Sequence, residues 1–286
     1  MVHLLGSTGY IGSKISNFLT LNNLHFIPYS SKVAAGLEIF DLNVLDTKQL
    51  NKVKKGDIVL FLSAISSPDI CESNYELAKK INLYSTSFYI KEIIKSEAFI
   101  LFVSSDVVYG NNTYVNDELS TLNPFGNYAK LKYLIENEFL YSKYFKSLRL
   151  SFVFSKFDSF FLYLKKSLLE NNVANVFSGL RRNIIYIDDV ILSIYQIILG
   201  IIKDDFMIKD LKTLNLVGQD NLSRSDMALI FNQRFSSLKV NIIKTPPNYL
   251  TNRPDSIYTK SLFLDKIIKK ELVTYSHFIN NLGEKL

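Results

Sequence analysis

Tyr128 and Lys132 stand four residues apart, so on a helix their side chains share one face. Delivery of a hydride to a carbonyl requires a proton at the developing alkoxide. A phenol supplies one when its pKa is drawn down from about 10, and a lysine cation on the same face favours the phenolate that remains. The spacing alone is weak evidence, because Tyr10/Lys14 and Tyr75/Lys79 repeat it in this chain. Position separates the three pairs. Tyr10 lies inside a glycine-rich turn, and Tyr75 precedes the fifth apolar run. Only Tyr128 follows that run, 99–103, which ends in Ser104 and Ser105. Hydroxyls at the carboxyl end of a parallel strand stand where open α/β sheets bind ligands.

The glycine-rich turn is Gly6-Ser7-Thr8-Gly9-Tyr10-Ile11-Gly12. It follows the apolar run Val2-His3-Leu4-Leu5 and opens a stretch with apolar residues at helical spacing, Ile11, Ile15, Phe18 and Leu19. Glycines there permit a tight turn, and the helix N-terminus presents free N–H groups to a pyrophosphate. A turn of glycines without a ligand is the competing reading, and the strand–turn–helix context argues against it. The predicted dinucleotide contacts are Gly6, Thr8, Gly9, Tyr10, Ile11 and Gly12. NAD sites usually carry an acid about 20 residues further on. Here that place holds Tyr29, Ser30, Ser31 and Lys32. Two hydroxyls and a cation suit a 2′-phosphate, so NADP(H) is the expected cofactor, with NAD(H) admitted. A solvated Ser-Ser-Lys loop is the alternative. Asp41, after the third strand, is expected either to face the adenine or to cap a helix.

Short apolar runs alternate with helical patterns through residue 152: 2–5, 25–27, 38–41, 57–62, 99–103 and 148–152 read as strands. Such alternation predicts an α/β fold, a Rossmann-type doubly wound parallel sheet covered by helices on both faces. Residues 1–152 and 183–202 are assigned to the dinucleotide-binding domain. Residues 153–182 and 203–286, where the alternation weakens, are assigned to a smaller, discontinuous C-terminal substrate lobe. The chain has 286 residues, a net charge of +6 without a like-charge run of five, one cysteine, and histidines only at positions 3, 25 and 277. A nucleic-acid arm, a disulfide and a zinc site are therefore not expected. The most apolar late stretch, 190–202, is too short to span a bilayer. The N-terminus runs straight into glycines, so no signal peptide is expected and the cytoplasm is the expected compartment.

The chain resembles the extended short-chain dehydrogenase/reductases that act on nucleotide sugars, and within them the dTDP-4-dehydrorhamnose reductase branch. The residues that carry the resemblance span most of the sequence. They are Gly6 to Gly12, Leu62-Ser63-Ala64, Asn82, Ser104-Ser105-Asp106-Val107-Val108-Tyr109-Gly110, and the run from Asn123 through Tyr128 to Lys132. Arg149, the run from Arg182 to Val190, Leu222-Ser223-Arg224 and Arg253-Pro254-Asp255 complete the set. The resemblance implies catalysis by Ser105, Tyr128 and Lys132, with Ser105 polarising the substrate carbonyl and Lys132 also holding the nicotinamide ribose. It adds Leu62, Ser63, Ala64 and Asn82 to the cofactor site. Asp106, Arg182 and Arg253 join Ser105 and Tyr128 in the substrate site, with Arg253 gripping the diphosphate. The implied activity is NAD(P)H-dependent reduction of a nucleotide-linked 4-keto-6-deoxy sugar for cell-surface polysaccharide, and a homodimer is admitted. Val107 stands where 4,6-dehydratases carry an acid, which argues against dehydration. The run from Arg182 to Val190 looks nearer to 4-epimerases, which keeps an epimerase open. A non-catalytic regulatory subunit on the same fold, as in the methionine adenosyltransferase β subunit, is the third reading.

Overall fold

The computed structural model describes residues 1–283. Its centre is a seven-stranded sheet in which β1 (Val2–Leu5), β2 (Phe26–Ser30), β3 (Glu38–Ile39), β4 (Ile58–Phe61) and β5 (Phe99–Ser105) are joined by Phe145–Leu150 and Thr213–Leu216. From edge to edge the order is Thr213–Leu216, Phe145–Leu150, β5, β4, β1, β2, β3. Every pairing is parallel, and β1, between β2 and β4, registers Val2 against both Phe26 and Ile58. The order reverses between β1 and β4, which is where a doubly wound sheet opens a crevice for a dinucleotide.

The period-two geometry of the strands divides their apolar residues between two cores. Val2, Leu4, Ile58, Leu60 and Leu101 face one side, under α1 (Tyr10–Leu21) and the helix Ile187–Ile202. Leu5, Val59, Phe61, Ile100 and Phe102 face the other, under Tyr89, Ile90, Ile93, Ile135 and Phe139 of the helices Thr86–Lys95 and Asn127–Phe139. Because both faces are covered, β1 and β4 are buried along their whole length. The expectation of a doubly wound sheet is met.

A second body of strands lies beyond the carboxyl ends. Phe152–Phe154, Arg181–Tyr186, Asn221–Leu222, Ser256–Thr259 and Val115–Asn116 form one sheet, and Val173–Phe177 pairs with Lys239–Ile243 in another. Their core is aromatic, built on Phe154, Phe161, Phe231, Tyr275 and Phe278. The strand Thr213–Leu216 falls elsewhere than expected, since 203–286 was assigned to this lobe. Its buried Leu214 and Leu216 complete the large core instead. Residues 284–286 of that assignment lie outside the described residues.

The helix that carries Tyr128 and Lys132 is fixed from behind by buried charge. Glu136, one turn after Lys132 and fully buried, accepts from Arg149 Nε at 3.0 Å and Nη2 at 2.6 Å. Arg149 Nη1 donates to the Tyr109 hydroxyl at 2.8 Å, which is itself 2.8 Å from Asn215 Oδ1. This network ties the helix to the strands Phe145–Leu150 and Thr213–Leu216. Among the described residues, no helix is long and apolar enough to cross a membrane, and no group of three or more His, Cys, Asp or Glu is arranged to hold a metal.

Candidate functional site

The turn after β1 is closed by its own backbone: Gly6 N and Ser7 N donate to the Tyr29 carbonyl at 3.1 and 2.9 Å, and Gly9 N donates to Gly6 O at 3.1 Å. Gly6 has a φ of +91°, which glycine adopts without strain. A Cβ at Gly12 would overlap the Gly6 carbonyl and press on Ser7 Cα. The turn therefore needs glycine at both positions. α1 begins with no side-chain cap and no acid in its first turn, so its terminal N–H groups are left for an anion. A dinucleotide pyrophosphate fits this cradle. Gly12→Ala is expected to introduce about 1–3 kcal/mol of strain, read as a roughly tenfold or greater loss of NADPH affinity by fluorescence titration. Unchanged affinity would remove the turn from the cofactor site.

The other expected cofactor contacts divide. Ser63 lies beside Gly6, within about van der Waals reach of where its Cβ would stand, and Leu62 N donates to Leu5 O at 3.0 Å. Ala64 continues this half-buried loop after β4, and Ile11 is half-buried at the start of α1. Asn82 spends its amide on that loop: Nδ2 donates to Ile65 O, and Oδ1 accepts from Ile65 N, both at 2.8 Å. It positions the loop rather than offering a free group. Ser30 is buried, lies 3.1 Å from Thr8 Oγ1 and accepts from Lys32 N, whereas Ser31 and Lys32 are exposed. Asp41 turns back on its own loop, its Oδ1 accepting from Asn43 N and Nδ2 at 2.9 Å. Tyr10 leaves the turn to meet Ser155 Oγ at 2.6 Å.

Tyr128, Arg182 and Arg253 line one cleft, with Val107, Phe125 and Ala129 beside them. Burial pushes the Tyr128 phenol well above its ordinary range, against the opposing pull of the Arg182 guanidinium. At neutral pH it holds its proton and is a donor. Lys132 sits behind it with Nζ 6.0 Å from the Tyr128 ring centroid, donating to the Val103 carbonyl at 2.7 Å. Burial pushes the Lys132 ammonium down to about 8, and the carboxylate of Glu136 opposes that. The two pKa values move apart, the phenol up and the ammonium down, because burial penalises the charged form of each.

Ser105 ends β5 almost buried and donates to Asp106 Oδ1 at 3.2 Å. Asp106 is fully buried and forms an ion pair with Arg182, whose Nε is 3.2 Å from Oδ2. Burial raises the Asp106 carboxyl, and Arg182 pulls it back. Arg253 Nη2 lies 2.5 Å from Asp69 Oδ2, Nη1 donates to Asn252 Oδ1 at 2.8 Å, and its guanidinium stacks 4.3 Å from the Tyr249 ring centroid.

A family model described as the RmlD substrate binding domain matches residues 1–258. The chain belongs to this family. The resemblance to the extended short-chain dehydrogenase/reductases of nucleotide sugars holds at the level of family and fold. A hypothetical dTDP-4-dehydrorhamnose reductase from Sulfolobus tokodaii superposes with a TM-score of 0.80 at 22% identity, covering 96% of each chain. The dTDP-4-dehydrorhamnose reductase of Bacillus anthracis, solved in complex with NADP, gives 0.79 at 17% identity, over 97% of this chain and 96% of that one. By sequence, the chain is 30% identical over 133 residues to methionine adenosyltransferase 2 subunit beta of Xenopus tropicalis, a match covering 45% of this chain and 39% of that protein. The chain thus spans about two fifths of the length of the curated relatives it matches.

In this RmlD-family chain the cleft is lined by residues that sequence reasoning did not single out as contacts, Arg224, Tyr249 and Asn252, and Arg253 in its wall is paired with the exposed Asp69. Only Arg224 left a local signal. Ser223 with Asp226 three residues on is a capping-box pattern, and the structure shows that box at the start of the helix Arg224–Arg234. An arginine is thereby placed in a first helical turn, the end where acids are favoured.

Proposed function

We propose that this chain is a cytoplasmic NAD(P)H-dependent reductase of a nucleotide-linked 4-keto-6-deoxy sugar, supplying cell-surface polysaccharide synthesis. The observation that carries the reading is Tyr128 in the wall of an arginine-lined cleft, with Lys132 behind it on the same helix. The glycine cradle at α1 supports a dinucleotide, and the family and its NADP-bound structural neighbour favour a nicotinamide one. When bound, a reduced nicotinamide supplies the hydride. Tyr128 then gives its proton to the C4 oxygen, leaving a phenolate that the Lys132 cation stabilises. Ser105 polarises the same carbonyl, Arg253 and Arg182 take anionic oxygens of the nucleotide, and the lobe built from 153–182 and the residues after Leu216 holds the sugar. A panel of nucleotide-linked 4-keto sugars with NADPH or NADH, followed by nicotinamide absorbance and product NMR, tests the reading. Stoichiometric reduction of one of them is the expected result. Interconversion of C4 epimers on tightly held cofactor would instead make the chain an epimerase.

Cofactor choice follows from the loop after β2. It carries no acid, and Ser31 and Lys32 are exposed there. NADPH is expected to bind more tightly than NADH, and Lys32→Glu to narrow the difference. Exposed charge pairs are worth about 0–1 kcal/mol, so the change should be at most about fivefold. Dissociation constants for both cofactors check it. Tighter NADH binding, untouched by Lys32→Glu, would mean that this loop does not read the ribose.

The curated relatives favour a second reading, a non-catalytic regulatory subunit on the same fold. It predicts cofactor binding with no reduction of any sugar in the panel.

A further inference from the structure

Four arginines gather at the cleft and its rim, and three are already paired. Arg181 meets Asp226 at 2.5 Å, Arg182 meets Asp106, and Arg253 meets Asp69. Arg224 has no carboxylate within ion-pair distance among the described residues. Its guanidinium lies 3.8 Å from the Phe152 ring centroid and 4.6 Å from that of Phe160, and its one side-chain polar contact is Met227 Sδ at 3.8 Å. The cradle is aromatic, and the cation is the first residue of a helix, where the macrodipole is also positive. The Ser223–Asp226 capping box satisfies the helix end but does not reach the guanidinium. A half-buried cation with no directly paired carboxylate is unfavourable in the free protein: burial and the nearby Arg182 push its pKa down to about 10 against the pull of Asp158, whose oxygens are engaged by Ser155 N, Phe160 N and Phe161 N. Phe152, Ile184 and Met227 make the surrounding wall apolar. A direct ion-pair partner for Arg224 has to come from the ligand.

We propose that Arg224 is a further anion-binding residue of the cleft and takes phosphate oxygens of a nucleoside diphosphate beside Arg253 and Arg182, which share their charge with Asp69 and Asp106. A guanidinium fork held rigid between two rings presents parallel N–H groups, the geometry that matches phosphate oxygens. The assignment rests on the reading of this cleft as a nucleotide-sugar site and names the group that would grip the nucleotide there.

Calorimetric titration of the NADPH-saturated protein with dTDP, thymidine, inorganic pyrophosphate and glucuronate tests it, because saturation fills the glycine cradle first. Arg224→Met keeps the apolar stem on Phe152 and removes the charge. It is expected to weaken dTDP binding about ten- to a hundredfold, with NADPH affinity unchanged and the melting temperature no lower than that of the wild type. Arg224→Lys should fall between. Equal dTDP affinity in Arg224→Met and wild type overturns the proposal. So does an effect confined to glucuronate, which would make Arg224 a reader of a sugar carboxylate. Should Arg224→Met fail to fold, the wild type still decides. Phenylglyoxal labelling of Arg224, located by peptide mass spectrometry, is expected to be blocked by dTDP, and labelling that dTDP does not slow contradicts the proposal. Arg224-dependent dTDP binding in a chain that reduces no keto sugar would keep this subsite and remove the reductase. Reduction at wild-type KM by Arg224→Met would do the reverse.

Discussion

Tyr128→Phe should lower turnover about 10²–10⁴-fold and leave NADPH affinity as it is. The phenol is half-buried in the cleft wall, and no hydrogen bond of its hydroxyl supports the fold among the described residues. Removing one oxygen therefore removes a proton donor and little else. Burial keeps the Tyr128 proton on at neutral pH, and the Lys132 cation is what makes its departure affordable during reaction. Steady-state rates with parallel NADPH titration check the expectation. Turnover within about threefold of wild type, well short of a general-acid effect, would exclude Tyr128 as the donor.

The second large effect concerns stability. Glu136→Leu should strand Arg149 as a buried cation behind the same helix, since Glu136 supplies all three of its carboxylate contacts. Breaking a buried pair from one side costs about 3–5 kcal/mol, a melting temperature lower by roughly 6–20 °C in a chain of this size. The paired change Glu136→Leu with Arg149→Met should recover part of the loss, because the uncompensated charge goes with the arginine. Glu136→Gln adds a readout at the site. The Glu136 charge holds the Lys132 pKa up against burial, so its removal lowers that pKa further. Lys132 then loses its proton at lower pH, and the alkaline limb of the rate profile should move to lower pH. Thermal melts that do not change, with a fixed pH profile, would leave the pair without this role.

The sheet was legible in the sequence because burial on both faces forces unbroken apolar runs, and Val2-His3-Leu4-Leu5 and the run 57–62 are such runs. The glycine turn was legible because Gly12 packs where no Cβ fits. Thr213–Leu216 was missed as a sheet strand: four residues buried against a distant strand carry no local mark of which sheet they join. The site was legible where one helix or one turn fixes a spacing, as with Tyr128 and Lys132. It was not legible where contacts join segments far apart, and Asp69 with Arg253, Asp106 with Arg182 and Glu136 with Arg149 are pairings made by the fold. Asn82 and Ser30 were expected as cofactor contacts, yet their polar atoms already serve neighbouring backbone. Residue type does not reveal whether a hydrogen-bonding group is already engaged.

Deuteride transfer tests the central claim most directly. The protein would be given NADPH deuterated at the nicotinamide C4 position together with each nucleotide-linked 4-keto sugar, and the products read by NMR. The account predicts deuterium at sugar C4, one for each NADPH consumed, appearing about 10²–10⁴-fold more slowly with Tyr128→Phe. NADPH that binds tightly while no sugar acquires the label would contradict it.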